Sequence, residues 1–169
     1  PDELSFDEAR QVVDDLHAFG VPFVLLSGGE PTVRPDLPDL ISYATEKGLR
    51  TVLSTNGTFL TREFVHRLSE AGLTRVGISL DGLEAANDKF RGKKGAFAAA
   101  LAGIRNSVEA GMRVSLRTTM TKRNVADLAG LFDLAEAEDI PRVCVYHLAY
   151  AGRGRKLLSY DFDAPERRG

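Results

Sequence analysis

The stretch Val21-Pro22-Phe23-Val24-Leu25-Leu26-Ser27-Gly28-Gly29-Glu30-Pro31 decides how the rest of the chain is read. Its apolar run is strand-length and predicts a buried strand over 23–27. Two glycines at the end of a strand let the backbone take positive φ and come close to a ligand. Glu30 then offers a carboxylate at the mouth of the sheet, able to accept charge-assisted hydrogen bonds from an ammonium group. Pro31 removes a backbone donor and stops regular pairing. A solvated turn glutamate is the plain alternative. The flanking glycines and proline fix an unusual turn and favour a ligand, at the place where α/β folds keep their chemistry.

Two further strand ends repeat the theme, with Ser54-Thr55-Asn56-Gly57 and Ser79-Leu80-Asp81-Gly82. Each alone is an ordinary turn sequence. Asp-Gly often closes a hairpin, but a parallel sheet needs no hairpin there. Hydroxyl, amide and carboxyl groups repeated on one rim point to a polar ligand lying across several strand ends.

Between these ends the apolar spacing alternates with period. Ser5 and Glu8 make a capping box for a helix that Gly20 stops. Asp36 is expected to cap a second helix, Thr61 a third and Asn124 a later one. Strands are expected at 50–54, 74–80, 113–120 and 142–147, with a short helix near 84–89 and a long one over 96–110. Strand and helix alternate at βαβ spacing, so the fold class is α/β with a mostly parallel sheet and right-handed crossovers. A curved partial barrel and an open doubly wound sheet both fit this pattern.

Composition narrows the function. At 169 residues the chain can bury one real core. Its formal charge of −2 gives no electrostatic case for nucleic acid or a membrane surface. Its longest apolar runs fall far short of the roughly 20 residues that span a bilayer. A single cysteine, Cys144, excludes an internal disulfide and fits a reducing compartment, so a cytoplasmic location is expected. Flanked by Val143 and Val145, Cys144 is expected to be a small buried strand residue. The chain opens without a Met or a leader and ends on a polar tail, 161–169, which reads as a linker in a longer protein.

Basic residues supply the remaining candidates. Arg91 lies in the charged segment Asp88-Lys89-Phe90-Arg91-Gly92, and Arg117 lies on a strand that would bury it, so it needs a partner. Either can hold a carboxylate through its planar fork. His17 and His66 sit within helices, whereas His147 closes the fifth strand at the candidate rim. Beyond it, Gly152-Arg153-Gly154-Arg155 is a basic, glycine-rich loop: a flexible solvated segment, or a clamp for an anionic substrate built on Arg153 and Arg155.

Taken in order, Gly28–Pro31, Ser54–Gly57, Ser79–Gly82 and Asp88–Gly92 resemble radical S-adenosylmethionine (SAM) enzymes over nearly the whole chain. The resemblance implies a partial (β/α)6 TIM-like barrel over 1–160, with the first strand and the cluster loop missing from this chain. It implies cofactor binding by Gly28, Gly29, Glu30, Pro31, Ser54, Asn56, Ser79 and Asp81, with Arg91 or Arg117 on the methionine carboxylate. The family's Cys-x3-Cys-x2-Cys loop, which holds a [4Fe–4S] cluster, is absent, so the cluster ligands are not in this chain and the fragment alone is expected to be inactive. A low-potential reductant such as flavodoxin or ferredoxin is the implied partner.

The segment Val145–Gly154 resembles the tetrapyrrole-modifying branch, which acts in haem d1 or sirohaem-dependent haem synthesis. That branch implies hydrogen abstraction from a carboxylate-bearing side chain, with His147, Arg153 and Arg155 toward the substrate. A peptide-modifying enzyme of redox-cofactor synthesis is the near alternative. A cluster-free βα-repeat module binding a nucleotide or anionic metabolite is the alternative of another class.

Overall fold

Strand order decides between the two architectures the sequence leaves open. The computed structural model describes residues 3–150 and 152–162. Its sheet holds β1 (Phe23–Leu26), β2 (Arg50–Thr55), β3 (Arg75–Ser79), β4 (Arg113–Thr119) and β5 (Val143–Tyr146), all parallel and in the order β1-β2-β3-β4-β5. A doubly wound sheet reverses its order at a switch point. Here no reversal occurs, so every right-handed crossover leaves its helix on the same face and the sheet forms the wall of a barrel.

The helices are α1 (Phe6–Ala18), α2 (Leu37–Glu46), α3 (Arg62–Glu70), α4 (Glu84–Arg91), α5 (Ala96–Glu109) and α6 (Leu128–Ala137). Single turns of 3-10 helix lie at Pro31–Val33 and Val125–Asp127, and a longer 3-10 segment runs over Gly152–Tyr160. Alternation on β2, β3 and β4 sends Leu53, Val76, Ile78, Val114 and Leu116 into the helix layer. There they meet Ile41, Val65, Leu68, Ile104 and Leu131 in one buried cluster. A smaller cluster of Ala9, Val13, Leu40, Ala44 and Leu49 seals α1 onto α2. No helix of the described residues is long and apolar enough to cross a membrane.

The expected caps divide by their chemistry. Ser5 forms its capping box, with Glu8 Oε2 accepting from the Ser5 amide at 2.8 Å, and Thr61 Oγ1 accepts from the Phe64 amide at 3.2 Å. Asp36 and Asn124 hold cap positions but cap nothing. Asp36 is taken by Arg34, whose Nη2 donates to Oδ2 at 2.8 Å. Asn124 is buried and used as a staple. Its Oδ1 accepts from the Thr121 amide at 2.7 Å, and its Nδ2 donates to the carbonyls of Asp81 (3.0 Å) and Thr119 (2.9 Å).

Two burial expectations are corrected. β1 is an edge strand with one face open: Phe23 is 56% exposed and Leu25 46%. Cys144, on the opposite edge strand, is only half-buried. Both point to the concave face, which no helix covers among the described residues.

Gly103 shows how tightly α5 seats on the loop after β2. A Cβ there would stand 2.3 Å from the Gly57 carbonyl oxygen, a backbone atom that cannot step aside. Asn106, one turn on, donates Nδ2 to the Leu60 carbonyl at 2.8 Å. Gly103→Ala is therefore expected to lower stability by about 1–3 kcal/mol in chemical denaturation. A change below about 0.5 kcal/mol, the size of an ordinary surface substitution, would show that α5 is not held at this distance.

Candidate functional site

The C-terminal ends of β1, β2 and β3, with α4 and the start of α5, enclose a cleft of about 370 Å³. Seven sequence-predicted residues line it together: Gly28, Gly29, Glu30, Ser54, Asn56, Ser79 and Arg91. Gly28 has φ +148°, a conformation an L side chain avoids, and so turns the chain from β1 over the cleft.

Glu30 is a lock as well as a surface. Its Oε1 accepts from the Thr32 amide at 3.1 Å and from the hydroxyls of Thr32 and Thr55, each at 2.5 Å. Its Oε2 accepts from the Asn56 amide at 2.8 Å. The carboxylate thus ties the end of β1 to the end of β2. Oε2 holds one of these donors and has capacity for another. Pro31 does not line the cleft. It opens the 3-10 turn that brings Thr32 under Glu30.

Asn56 turns its Oδ1 inward to the Thr58 amide (2.8 Å) and hydroxyl (2.7 Å). Its Nδ2 makes no hydrogen bond among the described residues. Arg91 leans over the opposite edge, with Nη2 2.6 Å from Asp81 Oδ2 and 3.4 Å from the Ser79 carbonyl. Asp88 accepts from the amides of Gly95 (2.5 Å) and Phe97 (2.8 Å), which holds the turn carrying Lys93 into the cleft. Those amides, the Phe97 N–H foremost, hold the Asp88 carboxyl below its ordinary range.

Asp81 does not line the cleft. It is 3% exposed, and its Oδ1 accepts from the Thr119 amide at 2.8 Å while its backbone N–H donates to Asn87 Oδ1 at 3.0 Å. Burial pushes its carboxyl up, against the opposing pull of Arg91 and of the Thr119 N–H. It joins the ends of β3 and β4 and orients Arg91.

The structure separates the two arginines that the sequence leaves equivalent. Arg117 is not in the rim cleft. Its side chain lies across Gly77, where a Cβ would sit 2.2 Å from Nε, and its Nη1 donates to Ser54 Oγ at 2.7 Å from the concave side.

His147 is exposed just beyond β5 and lines no part of the cleft. The basic glycine-rich segment is 3-10 helix over Gly152–Tyr160. Gly154 has no room for a Cβ, which would fall on the Ala149 carbonyl oxygen, and the Lys122 amide donates to the Tyr160 carbonyl at 2.8 Å. Arg155 is exposed, with Nε donating to the Tyr150 carbonyl at 3.3 Å. The Arg153 side chain and residues 163–169 of the expected linker lie outside the described residues.

Sequence reasoning passed over Thr55, Thr58, Phe59, Asn87 and Lys93, all of which line the cleft. Thr55 and Thr58 belong to or adjoin the quoted Ser54–Gly57 turn, a usable signal. Phe59, Asn87 and Lys93 carry none until the loop and helix that bear them fold over the rim.

The Radical SAM superfamily model matches residues 1–135. The chain is 55% identical over 166 residues to Fe-coproporphyrin III synthase of Methanosarcina barkeri, covering 98% of this chain and 42% of that protein. It is 42% identical over 163 residues to pre-heme d1 synthase of Dinoroseobacter shibae, covering 96% and 40%. Among solved structures, anSMEcpe with bound AdoMet and a Cp18Cys peptide superposes with a TM-score of 0.78 at 15% identity, covering 98% of this chain and 49% of that one. The chain thus spans about two fifths of the length of these curated relatives. The family match runs through every strand end that builds the cleft, and the barrel-wall fold agrees with it: the chain belongs to the radical SAM superfamily.

Proposed function

We propose that the rim cleft seats S-adenosylmethionine, and that the full-length protein is a radical SAM enzyme acting on a carboxylate-bearing tetrapyrrole in haem biosynthesis. The cleft's arrangement of one acid facing two cations carries the first half, because the amino-acid end of SAM bears an ammonium beside a carboxylate. Glu30 Oε2 and the turn at Gly28 and Gly29 take the ammonium. Arg91 and Lys93 take the carboxylate. Ser54, Asn56 Nδ2 and Ser79 face the ribose hydroxyls, and the exposed ring of Phe59 offers a face for adenine to stack on. Bound there, SAM supplies a carbon radical when reduced by one electron.

The family's cofactors are SAM and a [4Fe–4S] cluster. The residues present fit SAM and do not fit the cluster. Cys144 is the single cysteine of the sequence, and no group of metal-ligating side chains gathers among the described residues. This chain's part is therefore to bind and orient SAM. Residues 1–160 form the core in this reading. A cytoplasmic location and a reductant such as flavodoxin or ferredoxin belong to the same proposal.

Similarity at 55% to a coproporphyrin-related enzyme over 98% of this chain supports the tetrapyrrole. The likeness to a peptide-bound structure, at 15% identity, speaks for the fold alone. The test is isotope transfer. Full-length protein is reduced anaerobically with SAM and a tetrapyrrole deuterated in its propionate or acetate side chains. Deuterium is expected in the released 5′-deoxyadenosine. Release without deuterium would contradict hydrogen abstraction from that substrate.

A further inference from the structure

An arginine stands at, or immediately before, the start of each strand from β2 onward. Arg50 opens β2, Arg75 opens β3, Arg113 opens β4, and Arg142 immediately precedes β5. Alternation puts each on the same face as the residue two places on, namely Val52, Gly77, Ser115 and Cys144. That is the concave face, and the register sets Arg75 directly beside Arg113. With Arg117 these five arginines line a single cavity of about 690 Å³, in which no Asp or Glu of the described residues takes part.

None of Arg50, Arg75, Arg113 and Arg142 makes an ion pair among the described residues, although α/β surfaces here pair arginines readily elsewhere, as at Arg62–Glu109 and Arg105–Glu138. These four arginines are exposed, and like charges gathered on one wall raise the local positive potential and favour an anionic occupant. Guanidinium forks select carboxylates. The rest of the cavity mixes hydroxyls, from Thr51, Thr74 and Ser115, with apolar side chains. Phe23, Leu25, Val52 and Tyr146 line it, and β1 leaves its two apolar side chains open there. A flat apolar body with carboxylates at its edge matches this pattern better than a small anion, which would leave the apolar wall wet.

Arg117 joins this cavity to the rim cleft. It lines the concave cavity, while the Ser54 hydroxyl that it holds at 2.7 Å lines the cleft above. Gly77 is what lets it cross β3, because any Cβ there would meet its Nε and Cζ at 2.2 and 2.6 Å. Arg113 and Arg117 are four residues apart on β4, about 13 Å along the strand. The cationic groups are therefore spread over the length of the groove and not bunched at one point.

We propose that the concave groove is the seat of the polycarboxylate macrocycle, its peripheral carboxylates paired with the strand-start arginines, and one carboxylate held by Arg117 beneath the rim cleft. The macrocyclic identity of the occupant rests on the tetrapyrrole reading above, and the arginine row is new to it. Carboxylate recognition thereby moves from the segment 152–160 to the starts of the strands.

The test is fluorescence titration of full-length protein with coproporphyrin III and, separately, with its tetramethyl ester, which keeps the ring and removes every carboxylate. The free acid is expected to bind, with the ester at least about tenfold weaker. The double variant Arg75→Ala/Arg113→Ala is expected to weaken the free acid by about tenfold or more, and to leave SAM affinity unchanged, which also reports that it is folded. Gly77→Ala keeps every charge and displaces Arg117, so it too is expected to weaken the free acid. Equal affinity for acid and ester, or unchanged affinity in the double variant, would overturn the groove. So would a double variant that melts earlier yet binds as before, since its arginines would then be paired by another segment of the full-length chain. If deuterium transfer from the tetrapyrrole persists alongside any of these results, the groove assignment fails and the proposed function stands. If wild-type protein neither binds the porphyrin nor transfers deuterium from a tetrapyrrole, both fail.

Discussion

Glu30→Ala in the full-length protein is expected to lower SAM affinity by at least about tenfold and to destabilise the fold by about 2–4 kcal/mol. The first effect follows from removing the carboxylate that faces the ammonium. The second follows from what the same carboxylate does inside the protein. Its two oxygens accept from the Thr32 amide and hydroxyl, the Thr55 hydroxyl and the Asn56 amide. Alanine leaves those donors in a part-buried wall with no acceptor, and hydrogen bonds to an ionised group count among the stronger ones. Asn56 and Thr55 also shape the cleft, so the loss of the lock and the loss of the ligand contact act together. Glu30→Gln keeps one acceptor oxygen and is expected to fall between alanine and wild type on both measures. Isothermal titration with SAM and a denaturant curve on each variant give the two numbers. An alanine variant with wild-type stability would show that the four hydrogen bonds do not hold the rim.

Asp81→Ala is the second large effect, about 3–5 kcal/mol, because it strands Arg91 and the Thr119 amide at a buried junction. SAM affinity is expected to fall as well, since Arg91 then loses the partner that aims it at the cleft. The pH dependence has a defined sign. Burial raises the Asp81 carboxyl above its unfolded value of 3.8. For a raised group the contribution to stability is fully present below the unfolded pKa and is lost as pH rises through the folded one. The stability lead of wild type over Asp81→Ala should thus widen as pH falls from neutral toward 4. Glu138 runs the other way. Arg105, donating Nε to it at 2.9 Å, holds its carboxyl below 4.5, so its contribution is present above that value and fades as pH falls. Denaturant midpoints taken across this range on wild type and Asp81→Ala isolate the Asp81 share. A gap that narrows toward acid would refute the burial argument.

Much of this is legible in the sequence, and the reason is local. Strand ends at Gly28–Pro31, Ser54–Gly57 and Ser79–Gly82 show as apolar runs broken by glycine beside polar groups, a pattern short-range physics imposes. Strand order was not legible, because βα spacing is the same in a barrel wall and a doubly wound sheet. Nor could the sequence tell a ligand-facing group from a lock. Asp81 and Ser79 lie two residues apart at one strand end, yet Ser79 faces the cleft and Asp81 is consumed by Arg91 and Thr119. Asn124 looked like a cap and is a staple between β3 and β4 ends, a role that exists only once those ends meet. The arginine row was in plain view, but each arginine alone reads as an exposed strand start. Only the curl of the sheet gathers Arg50, Arg75, Arg113 and Arg142 onto one concave face.

The central claim is that the rim cleft presents SAM for radical chemistry. Its most direct test is 5′-deoxyadenosine formation by the full-length protein, reconstituted anaerobically with iron, sulfide, reductant and SAM, with wild type and Glu30→Ala run side by side. The account predicts release by wild type and its loss in the variant at a SAM concentration near the wild-type Kd. Absence of 5′-deoxyadenosine from wild-type protein with a verified cluster, tetrapyrrole present, would contradict it.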